Sequence, residues 1–314
     1  MASEPVIRPY VADDLSAVLD LLRRALGESP ERPRTRAWFE WKHVRNPFGR
    51  SILLVAEAGR RLVGLRALMR WELRRPDGDP LLCARPVDTA TDPQFRRLGI
   101  FRKLTLAGIE EATSQGLHLL FNTPNPRSGA GYVSMGWQAV GSVGVMLRPK
   151  LGLFRRRRHQ DFDLVGAVPE LQPMTHLYVE DRAARGLRTP RTAEYQRWRF
   201  HDHPVARYFV TVSDEGAAVI RPNLRSGRRE LAVSEISGPA GSILRRVARS
   251  SDADYLIGWF SPGSPERTEA IRGGLIPVPW KRTLTLMARP LTELDLDVGI
   301  FSNWDLALGD LELL

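Results

Sequence analysis

Thr91-Asp92-Pro93-Gln94-Phe95-Arg96-Arg97-Leu98-Gly99-Ile100-Phe101 is the stretch on which the reading of this chain turns. Leu81 to Thr91 before it has the composition of a strand. After it, Phe101, Leu104, Gly108 and Ala112 recur at helical spacing, so a helix is expected from about Gly99 to Gln115. The stretch is therefore a strand-to-helix junction. The first amides of a helix have no intrahelical acceptor, and with the helix dipole behind them they bind phosphate oxygens without any particular side chain. Gly99 lets the backbone come close to such an anion, and Arg96 and Arg97 add charge.

Working outward, an amphipathic helix is expected after Asp13 or Asp14, with Leu15, Val18, Leu19, Leu22 and Leu26 on one face and Gly27 at its end. A second helix covers Arg34 to Arg45 and stops at Asn46-Pro47. Strands follow at Ser51 to Glu57, Leu62 to Leu73 and Leu81 to Thr91. Beyond the junction come a strand at Leu117 to Asn122, a short helix at Ser128 to Met135, and a strand at Val140 to Arg148. Antiparallel strands followed by strand-helix-strand units define an α+β (mixed α/β) domain.

After residue 150 the pattern restarts. Trp41, Pro47, Arg50, Ile52 and Val55 align without a gap onto Trp198, Pro204, Arg207, Phe209 and Val212, and Val143 to Pro149 corresponds to Leu284 to Pro290, each closed by Arg-Pro. Asp254 to Phe260 mirrors the strand at Leu117, and Pro265 to Gly273 mirrors the helix at Ser128. The expected organisation is two similar domains in tandem, each a mixed, mostly antiparallel sheet flanked by helices: residues 1–150 and 188–290, joined by a basic linker, 151–187. The linker holds Arg155-Arg156-Arg157-Arg158-His159. An acidic and aromatic tail, 291–314, is expected to fold back on the body.

A second motif stands after the strand at Leu117. Asn125, Ser128, Tyr132, Gly136 and Trp137 are spaced so that Asn125, Ser128 and Tyr132 share one face of a short helix. A phenol there can protonate a departing thiolate. Together the two segments resemble the GNAT superfamily of N-acetyltransferases: Arg96 and Gly99 fit its Q/R-x-x-G-x-G/A pattern, and Asn125 to Trp137 its N-x-x-A-x-x-x-Y-x-x-x-G-F segment. The resemblance implies acetyl-CoA or another acyl-CoA as co-substrate, its pyrophosphate against Arg97, Leu98, Gly99, Ile100 and Phe101; Arg96, Asn125 and Ser128 are further cofactor-binding candidates. It also implies a pantetheine arm along the strand ending at Thr91, Tyr132 as general acid, and an amine as acceptor, expected here to be a primary amine of a small molecule. Phe101 departs from the pattern, standing where the family has a small residue.

Direct attack by an amine needs a base. Asp88 and Asp92 bracket the strand end, and Asp88, within the strand, is preferred; Glu40, His43 and Glu57 come from segments that usually line the acceptor side. The second half has Val233 to Gly241 where the cradle should be, with Glu235 and no arginine pair. It also has no tyrosine matching Tyr132, so it is expected to be degenerate and to bind no CoA. A deep cleft between the halves is expected to favour a sizeable small molecule, and Trp304 and Asp305 are candidates to complete the acceptor site.

Composition narrows the alternatives. The net charge of +10 is almost all arginine, the lysines being Lys42, Lys103, Lys150 and Lys281. The arginines are scattered, so nucleic acid is not expected as partner. Cys83 is the sole cysteine, which excludes internal disulfides and cysteine metal clusters and leaves it as a small buried hydrophobe. No apolar run can span a bilayer and the N-terminus has no signal-peptide core, so a soluble, cytoplasmic protein is expected, with no membrane and no metal. The competing function is a GNAT-fold sensor or scaffold that binds acyl-CoA without turnover.

Overall fold

The computed structural model describes residues 4–29, 33–150, 172–173, 185–213, 216–278 and 284–311. The first half runs β1 (Val6–Pro9), α1 (Leu15–Leu26), α2 (Arg36–His43), β2 (Ile52–Ala58), β3 (Arg61–Arg74), β4 (Pro80–Thr91), α3 (Ile100–Ser114), β5 (Leu119–Asn122), α4 (Pro126–Val133), β6 (Gln138–Val143) and β7 (Val145–Pro149). The second begins with β8 (Gln172–Pro173) and α5 (Ala193–Gln196), which continues as a wider turn to His201. It then runs β9 (Phe209–Val212), β10 (Ala217–Arg225), β11 (Arg228–Ser237), α6 (Gly241–Ser250), β12 (Tyr255–Gly258), α7 (Pro265–Arg272), β13 (Ile276–Val278), β14 (Leu284–Pro290) and α8 (Leu308–Leu311). The α+β class expected from the sequence is what is found, as two mixed seven-stranded sheets. The Arg155 to His159 run and most of the basic linker lie outside the described residues.

The end of the first half differs from expectation. Val140 to Arg148 is not one strand, because the chain breaks at Gly144 and its two parts enter different sheets. The sheets are ordered β1-β2-β3-β4-β5-β14-β6 and β13-β7-β12-β11-β10-β9-β8. Each half thus lends a strand to the other: β14 fills the gap between β5 and β6, and β7 the gap between β12 and β13. The registers match as well. Arg289 and Pro290 pair with Leu120 and Leu119, and Arg148 and Pro149 with Leu256 and Tyr255. The sheets therefore do not divide at residue 150.

The lent strands are anchored alike. Arg289 donates to the Met135 carbonyl at the end of α4, and Arg148 to the Gly273 carbonyl at the end of α7 (2.6 Å). Beside them Gly136 and Gly274 both take φ of 90°, a left-handed conformation that leaves room for the arginine. Trp41 and Trp198, aligned in the sequence, stack with ring centroids 5.0 Å apart, and each indole N–H donates to the other residue's carbonyl at 2.7 Å.

The expected cleft is filled. One core joins both halves through Met69, Trp71, Cys83 and Phe121 from the first half and Tyr195, Val210, Val219 and Trp259 from the second. Trp304 belongs to this core, 1% exposed, its ring against Phe121 and its N–H on the Val298 carbonyl at 2.9 Å. Trp304 is therefore core, not pocket wall. Asp305 lies at the end of the second sheet, around a cavity it shares with Arg188, Arg191 and Glu235.

Candidate active site

The cradle is built from below. Gly64 on β3 lies under the start of α3; a Cβ there would meet Ile100 at 2.7 Å and Leu104 at 2.8 Å. This close seating brings the helix start down to the end of β4. Asp92, 1% exposed, accepts from the Gln94 amide and pairs with Arg61 (2.7 Å) and Arg24 (3.2 Å), which fixes the turn between strand and helix. Arg97 has φ of 68° and Gly99 φ of 72°. The Lys103 amide is the first to bond back, to the Gly99 carbonyl at 2.9 Å, so the amides of Ile100, Phe101 and Arg102 precede the first helical bond. Arg96, Arg97, Leu98 and Gly99 are exposed, and nothing lies within 4 Å of where a Gly99 Cβ would be. Such a turn fits a pyrophosphate.

Beside the cradle two parallel strands part. β4 and β5 pair only at Cys83 with Leu119 and Ala84 with Leu120. Beyond that point β4 carries an extra residue against β3, between Val87 and Ala90, where Asp88 takes φ of 47°. Tyr132 of α4 is 3% exposed and edge-on to Phe101 (5.5 Å between centroids) and Trp137 (4.9 Å). Its phenol oxygen accepts from Arg66 at 2.9 Å, and the same guanidinium nitrogen donates to Thr89 Oγ1 on β4 at 2.6 Å. Among the described residues the phenol's own proton has no acceptor. It is free to be given to a ligand.

The sequence-derived residues separate into groups. Thr91, Arg96 to Phe101 and Tyr132 come together around the strand end and the α3 start. Phe101, which departs from the family pattern, packs against Tyr132, and a Cβ on Gly131 would touch its ring at 3.0 Å. Asn125 and Ser128 stand at the beginning of α4, where the Asn125 carboxamide accepts from the Ser128 amide at 3.1 Å. Their visible work is to cap that helix.

Asp88 differs most from expectation. It is ion-paired to Lys42 (2.7 Å), His43 (3.3 Å) and Arg34 (3.4 Å), all buried. Burial alone would push its carboxyl up, but Lys42 and His43 more than reverse this and hold it well below the usual carboxylate range. A carboxylate so stabilised is a poor proton acceptor, so the structure gives Asp88 the task of holding Lys42 and Arg34, with His43 beside them, rather than that of a base. Burial likewise pushes the His43 imidazole down, keeping it neutral, and its Nδ1 lies 2.9 Å from Ser51 Oγ. Arg66, Thr89, Lys42 and Arg34 were not singled out from the sequence. The signal for Arg66 was there: one arginine inside the apolar run Leu62 to Met69.

The second half closes both places that are open in the first. The Gly241 amide, at the start of α6, donates to the Glu269 carboxylate of α7 at 2.9 Å, so a side chain occupies the helix start. The two helices are pressed together: a Cβ on Gly241 would meet Arg272 Cβ at 2.7 Å, and one on Gly273 would meet Leu244 at 2.8 Å. Where β11 and β12 part, beyond Val233 and Gly258, the tail enters and Ala307 makes an antiparallel bridge to Phe260. Leu308 N–H bonds to the Trp259 carbonyl (2.8 Å), Ser261 N–H to that of Leu306 (2.9 Å), and Gly309 lies against Ser234 and Glu235. Arg191 clamps it through paired bonds of 2.9 Å to Asp310.

Residues 6–140 match the acetyltransferase (GNAT) domain family, and this region is a GNAT domain. No curated protein matches the chain by sequence. Among solved structures, the chain is similar to Eis1 from Mycobacterium abscessus (15% identity, 91% of this chain and 73% of that one, TM-score 0.59). It is also similar to a probable N-acyltransferase from Enterococcus faecalis (12%, 93% and 73%, TM-score 0.64). A tandem GNAT protein from the clavulanic acid biosynthesis pathway is covered in full (16%, 93% of this chain, TM-score 0.56). At these identities the likeness is one of fold, and that fold is the tandem GNAT fold. No helix among the described residues is long and apolar enough to cross a membrane.

Proposed function

We propose that the protein is an acyl-CoA-dependent N-acyltransferase with one active site per chain, in its first half, that acts on a primary amine of a small molecule. The observation that carries this reading is the Tyr132 phenol, buried and with its proton unclaimed, beside a parted strand pair and an open helix start. Acyl-CoA supplies the activated acyl thioester, with acetyl as the default acyl group. The amides from Arg97 to Phe101 would hold its pyrophosphate, with Arg96 beside them and Thr91 along the pantetheine path. Asn125 and Ser128 would serve by fixing the α4 start. Tyr132 would protonate the leaving sulfur. The second half, its helix start and strand gap both occupied from within, would carry architecture only.

Release of free thiol on mixing the protein with acetyl-CoA and a panel of amines tests the reading. Amine-dependent release that disappears in Tyr132→Phe is expected. Saturable CoA binding with no release for any amine would instead make the protein a sensor, and absence of CoA binding would end the acyl-CoA reading altogether.

A further inference from the structure

Arg66 is the one member of the site whose position is physically costly. It is fully buried on β3, in an otherwise apolar run. Among the described residues no carboxylate pairs with it, and Nε and Nη2 have no hydrogen-bond partner. Other buried arginines are better provided for. Arg191 has Asp310 and Glu235, Arg85 the carbonyl of Asp310, and Arg199 the Gly309 carbonyl and the Tyr208 hydroxyl. Arg66 has neither a carboxylate nor a carbonyl among its partners in the described residues: it lies over the rings of Tyr132 (5.3 Å) and Phe101 (5.7 Å), and two hydroxyls, those of Tyr132 and Thr89, share its Nη1. A buried cation without an anion destabilises the fold unless an anion arrives. Its one charge-sensitive contact is the oxygen of the general acid.

Resting on the acyl-CoA reading above, we infer that Arg66 is the charge partner of the leaving thiolate. Tyr132 gives its phenol proton to the sulfur as the carbon–sulfur bond breaks and the nitrogen–carbon bond forms, the electron pair of the broken bond passing to sulfur. Arg66 balances the negative charge throughout, first on sulfur and then on the phenolate that keeps the O–H electron pair. The proton lost by the amine nitrogen leaves to water, and water restores the phenol. Phe101 has a place in this scheme: its ring covers the guanidinium and the phenol together, and keeping water from both strengthens the charge interaction.

The test uses the full chain with free CoA as probe. After calorimetry has established binding, the ultraviolet absorbance of the CoA thiolate is titrated with pH on the wild type, Arg66→Met and Arg66→Lys. The bound thiol should ionise about one pH unit lower on the wild type than on Arg66→Met, with Arg66→Lys between them. Arg66→Met should melt at or above the wild-type temperature, since it removes an uncompensated buried charge. Its kcat for acetyl transfer should fall about 100-fold with KM for acetyl-CoA within about threefold. Equal thiol ionisation on wild type and Arg66→Met, with CoA bound to both, overturns the inference and leaves the acyl-CoA reading standing. Failure of CoA to bind the wild type overturns both. A methionine variant that melts far below the wild type makes Arg66 a structural residue and also overturns the inference.

Discussion

Gly99 stands where side-chain volume is irrelevant and backbone conformation is everything. A Cβ there meets nothing, yet φ of 72° costs an ordinary L-residue roughly 1–2 kcal/mol and a β-branched one more. Gly99→Val should therefore raise the Kd for CoA at least about tenfold in calorimetry and lower the melting temperature by a few degrees, while the far-ultraviolet spectrum stays that of the wild type. Gly238→Ala, in the second half, should leave the Kd unchanged; equal losses from both would refute the division of labour between the halves. His203 gives a prediction of another kind. Burial and the nearby arginines Arg199 and Arg221 push its imidazole down to about 3, and Nδ1 accepts from the amides of Val205 (3.2 Å) and Ala206 (2.9 Å), contacts that a protonated ring would lose. Its folded-state value lies below the unfolded one of about 6.5, so its contribution to stability is complete above pH 6.5 and drains away as the pH falls toward 3. His203→Asn, which keeps an acceptor, should flatten the decline of melting temperature between about pH 6 and pH 4. An unchanged slope would show that His203 does not set it.

Elements differ in how far the sequence exposed them. The strand-helix junction was legible because glycine, arginine and the change of period all fall within eleven residues, and α4 because its spacing is helical. What could not be read is how neighbouring elements occupy one another. Nothing local to Asp88 says that Lys42, His43 and Arg34 converge on it from α2 and the segment before it, and only that convergence disqualifies it as a base. Likewise, the absence of an arginine pair before α6 signalled a missing cradle, but not that Glu269 sits in its place. Glu269→Ala should remove a buried helix-start acceptor and lower stability by about 1 kcal/mol in denaturant unfolding. It should not create a second CoA site, because α6 and α7 still touch at Gly241 and Gly273. A binding stoichiometry that rises from one to two would show that the carboxylate alone keeps CoA out.

For the whole molecule, the repeat was readable from Trp41 and Trp198 and from the two Arg-Pro endings, yet the similarity of β7 and β14 gave no hint that they trade places. Similar strands fit either sheet, and the choice between them is made by packing over distances that no local pattern records. A fragment of residues 1–150 should therefore fail to fold by circular dichroism, its sheet open between β5 and β6 and the apolar residues of the shared core bare. Mixing it with a fragment of residues 151–314 should restore the native spectrum. Independent folding of 1–150 would show that the lent strand is dispensable. The exchange also bears on how the protein is born. On the ribosome the first sheet cannot close until residue 290 has emerged, nearly the whole length of the chain, although every residue of the proposed site has been made by Tyr132. The nascent first half must wait with its sheet split, and β14, which closes it, is the last strand of either sheet to be made. A synthesis stalled before that point would leave two exposed strand edges, β5 and β6, facing each other and open to the equivalent strand of a neighbouring chain.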